Sequence, residues 1–363
     1  MKHKILAQLV FLVVGATFAA ASSPSQAEYR VLPPVTSGNL SIYPVVGGPE
    51  YATAQLLTLD EGLRTGAVVV TEAGSMRGLV RPGSPIPPDS GAEVNRLVLI
   101  NHSERPLLLL AGEIVTGGKQ DRVIGMDRIV PPKSGPVDLS VFCVEPGRWV
   151  ASSDHFGTMK SQMAQPSVRV PAMVERNQQS VWNQVGSTLE LMARAAPPAS
   201  PAIHASSSYA KAMDNPEVQK KVGSVAANYD GLLRELRKVG AKGIVVAING
   251  RIIWADVFAS TELLEKYWQK LIRSYAADSL TNASTGGQAD QKSAQWFLEQ
   301  LQGNREVIET EPGVFRRTET NGDGYRVFIL TSLMSKPEYT VHLAKMSYKG
   351  SMRSGIQPIG MMR

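Results

Sequence analysis

The stretch that fixes the architecture is Gly243-Ile-Val-Val-Ala-Ile248, Asn249-Gly250, Arg251-Ile-Ile-Trp-Ala-Asp-Val-Phe258. Two runs rich in β-branched and aromatic residues flank Asn-Gly, the dipeptide that supplies the two positive φ angles of a type I′ turn, so the segment is expected to be a β-hairpin. Ser260 follows as a helix cap, and Thr261–Leu280 places Leu264, Tyr267, Trp268, Leu271, Ile272 and Tyr275 at spacings of three and four, the signature of one buried helical stripe. A hairpin running into an amphipathic helix is not the strand–helix alternation of a doubly wound sheet. It indicates an α+β fold.

The chain upstream supports that class. From Val35 to Trp149 apolar residues come in short runs broken by Gly, Pro and Asn, with strands expected at Leu97–Ile100, Leu107–Leu110, Val123–Ile124 and Val137–Val144. Arg81–Gly91 contains four prolines and is expected to be a loop. Helices are expected over Gln179–Met192 and Pro216–Val239, separated by a Pro/Ser-rich segment near 195–208 that is expected to protrude as a mobile loop. A short helix around Ala294–Leu301 and strands near Val314–Arg317, Arg326–Thr331 and Thr340–Lys345 complete the pattern. The expectation is a β-rich N-terminal half followed by helices and β-hairpins, packed as one compact unit over residues 28–363.

Residues 1–27 have the form of a signal peptide. Lys2 and Lys4 precede an apolar stretch from Ile5 to Phe18, and Ser25-Gln26-Ala27 offers a small-residue cleavage site. About 14 apolar residues fall short of the roughly 20 that span a bilayer, so no transmembrane anchor is expected after cleavage. Cleavage would remove two lysines and no acid, taking the formal charge from +6 to +4. That mild excess, with no Lys/Arg run and no interleaving of basic and aromatic residues, excludes nucleic acid as the expected partner. One Cys among 363 residues excludes an internal disulfide framework and cysteine-rich zinc modules. An exported chain without disulfides is expected in the periplasm.

Chemistry concentrates in two motifs. The first is Gly112-Glu-Ile-Val-Thr-Gly-Gly-Lys-Gln-Asp-Arg122. It is not a Walker phosphate loop, because Gly118 stands where the Lys belongs and strand follows instead of helix. As a hairpin turning at Gly117-Gly118 it would pair Thr116 with Lys119 and Glu113 with Arg122, with Glu113, Gln120 and Arg122 on one face. Such a face is either a cross-strand ion pair or a polar-ligand site in which Arg122 or Lys119 holds a phosphate or carboxylate and Glu113 accepts from hydroxyls or acts as a base.

The second motif is Cys143-Val-Glu-Pro-Gly-Arg-Trp149. Val137, Leu139, Val141 and Cys143 fall on one strand face, so Cys143 is expected to be a buried thiol rather than a nucleophile. Glu145 and Arg148 lie just past the strand end, where loops carry ligands. Trp149 can stack on a planar group or cap the core, the latter being favoured. The histidines left after export have no mutual spacing suited to a metal, and no metal site is expected.

Together Ala111–Arg122, Pro131-Pro132 and Val141–Trp149, with Ser180-Val-Trp182, the Gly243–Phe258 hairpin and Leu271–Tyr275, resemble the ADP-ribosylglycohydrolase and rhodanese-phosphatase associated protein domain, a bacterial family of undefined biochemistry. The resemblance covers most of the mature chain. It implies a link to NAD and ADP-ribose metabolism, names no cofactor or reaction, and carries the polar motif onto Glu113, Lys119, Gln120, Arg122, Cys143, Glu145, Arg148 and Trp149. An export signal sets this chain apart from a cytoplasmic NAD-linked role. The expected function is binding of a small anionic or sugar-containing ligand, nucleotide derivatives being among the candidates, by Lys119, Gln120, Arg122, Arg148 and Trp149. The alternatives are a hydrolase or transferase with Glu113 or Glu145 as general base, and a non-catalytic cell-envelope interaction module.

Overall fold

The computed structural model describes residues 29–73 and 95–348, without the side chains of 160 and 161. The segments expected to be a signal peptide, 1–27, and a proline-rich loop, 81–91, lie outside the described residues. The hairpin is the centre of a nine-stranded antiparallel sheet. Asn249 and Gly250 adopt φ values of 52° and 73°, as the type I′ turn requires. Gly243–Ile248 pairs outward with Leu40–Gly47, which carries the short strands Tyr29–Val31 and Val35–Ser37. Arg251–Phe258 pairs in the other direction with Tyr339–Ser347, then Tyr325–Ser332, Phe315–Gly322 and the edge strand Asn304–Glu311.

The register shifts between Val246 and Ala247, so that Val246 faces Trp254 and Ala247 faces Ile252, leaving Ile253 as the extra residue of a bulge. Because side chains alternate with period two, the bulge turns Trp254 and Phe258 onto the face that carries Ile42, Ile244 and Val246. That face packs against the helix Thr261–Leu280, whose expected stripe is buried to 2% exposure or less at all six positions. Ser260 Oγ accepts the Leu263 N–H at 3.0 Å and caps it. The opposite face, with Tyr43, Val45, Val245 and Leu343, is covered by the helix Gln291–Glu299 through Ala294, Phe297 and Leu298.

A six-stranded antiparallel sheet runs in the order Gly157–Met163, Glu113–Thr116, Arg122–Ile124, Val137–Cys143, Arg96–Asn101, Val68–Glu72. The Phe156 N–H bonds to Val70 O at 3.0 Å, bringing the approach to the first of these strands against the last, so the sheet curls on itself. With the strands Arg128–Val130, Leu107–Leu109 and Leu57–Thr58 it encloses a second core containing Val70, Leu97, Leu99, Leu139, Val141 and Phe156. The expected alternation holds, with Leu139, Val141 and Cys143 all buried.

Two helical expectations need correction. Pro216–Val239 is two helices, Pro216–Ala227 and Leu232–Lys238. Between them Tyr229 is drawn to the sheet, donating its hydroxyl to Leu40 O at 2.7 Å and accepting the Ser37 N–H at 3.2 Å. The residues around it, Asn228, Asp230 and Gly231, are poor helix formers, so the break costs little. The Pro/Ser-rich segment is not a protruding loop. Pro197–Ala199 and Ser200–His204 are short helices. Proline is compatible with the first turn of a helix, and Ala196, Ala199 and Ile203 join the main core at 2% exposure or less. Ile203→Ala is therefore expected to destabilise the fold by about 2–5 kcal/mol in urea unfolding. A change within a few tenths of a kcal/mol would mean that this segment is not packed.

Candidate functional site

The two motifs meet. Glu113–Thr116 and Arg122–Ile124 are adjacent antiparallel strands, with Ile114 opposite Val123 and Val115 opposite Arg122. This corrects the expected register, in which Glu113 faced Arg122 across a two-residue turn. The reversal is instead the five-residue loop Gly117–Asp121, and its partners explain why. Asp121 Oδ1 accepts the Gly117 N–H at 3.0 Å, Ser153 Oγ accepts the Gly118 N–H at 3.2 Å, and Glu72 Oε1 accepts the Lys119 N–H at 2.9 Å. Gly117 and Gly118 take φ values of 130° and 50°, and a Cβ at Gly118 would lie 2.3 Å from the Phe156 ring and 2.7 Å from Glu72 Oε1. Glycine is needed there for conformation and for space.

Arg148, half-buried, clamps this loop. Its Nη1 donates to Gly118 O at 2.8 Å and Val150 O at 2.9 Å, and its Nε donates to Glu145 Oε2 at 2.7 Å. Nη2 lies 3.4 Å from Asp121 Oδ1. Glu145, buried, also accepts the Asp121 N–H at 3.2 Å and has Lys211 Nζ at 3.8 Å, while Gln120 Nε2 donates to Glu145 O at 3.1 Å. Burial, then the neighbouring Glu145 charge, raises the Asp121 acid. The donors of Arg148 are thus taken up by protein acceptors. Lys119 Nζ stands 5.1 Å from the Trp149 ring, a cation–π pair over the loop. Trp149 does not cap the core, as favoured from sequence, because it is 44% exposed.

Beneath the loop, Arg122 is fully buried and none of its three guanidinium nitrogens has a hydrogen-bond partner. It sits directly opposite Cys143 on the neighbouring strand. Burial lowers the affinity of Arg122 for its proton, opposed by Cys143, Glu72 and Asp121. Burial raises the Cys143 thiol, which is therefore protonated at neutral pH and a poor nucleophile. Gln178 brackets the Cys143 backbone, its side chain accepting the N–H and donating to the carbonyl, both at 2.9 Å. Glu72 Oε2 and Gln120 Oε1 are likewise buried without a hydrogen-bond partner, while the Trp182 indole is directed at the Cys143 thiol.

Glu113 is not part of this junction. It is buried in an ion pair with Lys270, which also reaches Asp60 Oδ1 at 2.9 Å, and its Oε2 accepts the Leu110 N–H at 2.9 Å. Burial raises the Glu113 acid, and the Lys270 ammonium pulls it back.

Sequence inspection missed Glu72 and Trp182. Glu72 was within reach, since Val68, Val70 and Glu72 continue one inward face. It also missed a buried chain of charges. His342 Nδ1 lies 2.6 Å from Asp127 Oδ2 and Nε2 3.2 Å from Asp256 Oδ1. Asp256 further takes hydrogen bonds from Trp254 Nε1 at 2.9 Å and from the Tyr275 hydroxyl, with Arg169 at 3.6 Å stacked 4.1 Å over Trp254. Among the described residues no cluster of three or more His, Cys, Asp or Glu is arranged to hold a metal ion.

Two predictions follow from these clusters. Arg148→Ala leaves Glu145 buried without its main partner and is expected to cost about 3 kcal/mol in chemical denaturation; an unchanged midpoint would remove the clamp from the account. The second concerns pH. Burial opposes charge on His342, but Asp127 and Asp256 overcome it and raise the imidazolium to about 9 from 6.5. The folded state then holds a proton that the unfolded state has lost, so this contribution is complete below pH 6.5 and lost as pH rises through 9. Lys345, donating to Phe297 O and Gln300 O, is driven by burial to about 7 from 10.5, so its contribution rises with pH from 7 to 10.5. The two oppose each other between about pH 7 and 9. Lys345→Met is expected to unmask a fall in stability over that window that the unmodified chain does not show; parallel pH profiles for the two would overturn this.

A family model described as ARG and Rhodanese-Phosphatase-superfamily-associated Protein domain matches residues 28–345, and the chain belongs to that family. No curated protein and no solved structure matches it.

Proposed function

We propose that this family member is an exported, periplasmic domain that binds a small anionic ligand at the junction of the two motifs, with Arg122 as the central cation. The observation that carries this is the buried Arg122 guanidinium without a single protein acceptor. Leaving such a group unpaired costs more than an ordinary hydrogen bond returns, so an anion arriving there meets a large favourable difference. Glu72 Oε2 and Gln120 Oε1 add acceptors, and the Trp182 indole, directed at the Cys143 thiol, stands beside them. Donors for an anion beside acceptors for hydroxyls suit a phosphorylated or carboxylated sugar, and the family description makes ADP-ribose and related nucleotides the first candidates.

Entry requires the segment after Arg148 to lift. The Ser152 N–H to Gly118 O bond at 2.8 Å and the Arg148 clamp hold it over the glycine pair. The pair of half-buried Lys119 and exposed Trp149 stands at the same loop, where it can meet an incoming charged or planar group. Binding is favoured over catalysis because both candidate bases are engaged, Glu145 with Arg148 and Glu113 with Lys270.

The test is a thermal-shift screen of residues 28–363 against ADP-ribose, nucleotides, sugar phosphates and small carboxylates, repeated on Arg122→Gln. A ligand at about 100 times its Kd should stabilise by roughly 2.7 kcal/mol. We expect a shift in the unmodified chain that vanishes in the variant. No shift with any compound, or one that persists in Arg122→Gln, would overturn the assignment and favour an envelope interaction module.

A further inference from the structure

A second arginine presents the same anomaly in a different place. Arg317, on Phe315–Gly322, is 3% exposed, and its Nε and Nη1 have no hydrogen-bond partner. Its nearest carboxylate is Glu309, opposite it on the edge strand, at 3.7 Å from Nη2. Glu309 is shared, since Arg128 Nη1 approaches it at 3.3 Å while Arg128 Nη2 lies 3.3 Å from Glu311. Glu319 is shared in the same way between Arg176 at 2.7 Å and Arg326 at 4.0 Å. Four guanidinium groups thus face three carboxylates. A fourth carboxylate, Asp127, also acts on Arg317, but its oxygens are engaged by the Ala111 N–H at 2.7 Å and by His342.

Arg317, Arg176 and Asp127 line a narrow crevice walled by Met126, Met173 and Phe328. Its interior accommodates a group about the size of a water molecule, so only a single oxygen of an anionic group enters. Local backbone directs Arg176 there. Pro171–Glu175 forms a π-turn closed by the Arg176 N–H to Pro171 O at 2.9 Å, and Arg176 follows in the left-handed conformation, φ 49°. Such turns and conformations are uncommon for residues other than glycine and concentrate at functional positions.

We propose that this crevice is a second anion site, independent of the glycine loop, in which Arg317 and Arg176 take one oxygen of a carboxylate or phosphate group between Met126 and Phe328. An excess guanidinium and two buried, unpaired donor atoms select an anion over a cation or a neutral group. The narrow, largely apolar walls admit one oxygen of the anion and keep the remainder of the ligand outside.

The experiment uses residues 28–363 and two probes, sodium acetate and sodium phosphate, each compared with sodium chloride at equal ionic strength by thermal shift and calorimetric titration. A saturable response above the chloride control is expected. Acetate alone would assign a carboxylate, phosphate alone a phosphoryl group, and both a general oxyanion site. The response should weaken at least tenfold in Arg317→Gln and in Arg176→Gln and persist in Arg122→Gln. Should Arg317→Gln fail to fold, Arg176→Gln, whose side chain is 36% exposed, carries the comparison alone. No response beyond chloride, or one unaltered in Arg176→Gln, overturns the proposal. Loss of the response in Arg122→Gln would move the anion to the glycine loop and overturn it as well.

Discussion

A fully buried chain of charge, from Asp127 through His342 and Asp256 to Arg169, holds the two β-layers together. Asp127 comes from the turn between the strands Arg122–Ile124 and Arg128–Val130, His342 and Asp256 from the large sheet, and Arg169 from the helix Pro166–Val170. None of these groups reaches water, so each depends on its neighbour to offset its desolvation. That dependence fixes geometry more than it adds stability. Tyr275 and Trp254 complete the coordination of Asp256, which locks the long helix Thr261–Leu280 and the hairpin strand into one register. Gly112 is part of the same constraint, since a Cβ there would lie 2.7 Å from the Arg169 side chain. The first residue of the glycine motif is accordingly a packing residue of the charged core, whereas Gly117 and Gly118 serve the loop.

The extra residue at Ile253 ties this electrostatic centre to local sequence. Without the bulge a strict two-residue hairpin would set Ile253 opposite Val246, and the alternation would send Trp254 and Asp256 to the other face of the sheet. A single inserted position thereby decides whether the carboxylate meets the histidine. The same hairpin that defines the architecture also positions its most expensive group.

How much of this was legible in the sequence follows from the range over which each feature is decided. The hairpin turn, the Ser260 cap and the stripe of Thr261–Leu280 rest on neighbours within a few residues, and all three matched. Lys270, Ser274 and Asp278 of that helix are also buried, which a stripe of apolar residues does not disclose. The junction of the motifs was visible only in outline. Its loop is shaped by Arg148, Ser153 and Glu72, between 30 and 47 residues away along the chain, and no local turn rule contains them. The segment at 195–208 misled because proline and serine describe a linker by composition, while its alanines and Ile203 could be judged only against the surface they cover. The strand Asn304–Glu311 was missed for a related reason, being mostly exposed and charged rather than alternating.

The two ends of the large sheet show how such a broad layer stays discrete. At one end, Gln291 and Gln295 from the covering helix hydrogen-bond to the backbone of Tyr29 and Val31, so the outermost strand has side chains where another strand would dock. At the other, Asn304–Glu311 carries Arg305, Glu306, Glu309 and Glu311 along its length, and a like strand laid beside it in antiparallel register would bring charged groups together without the partners they have here. A nine-stranded sheet with bare margins would be a template for addition of further chains. Amide side chains at one margin and ionised ones at the other thus stand where a further strand would have to pair, and they make this sheet a finite object.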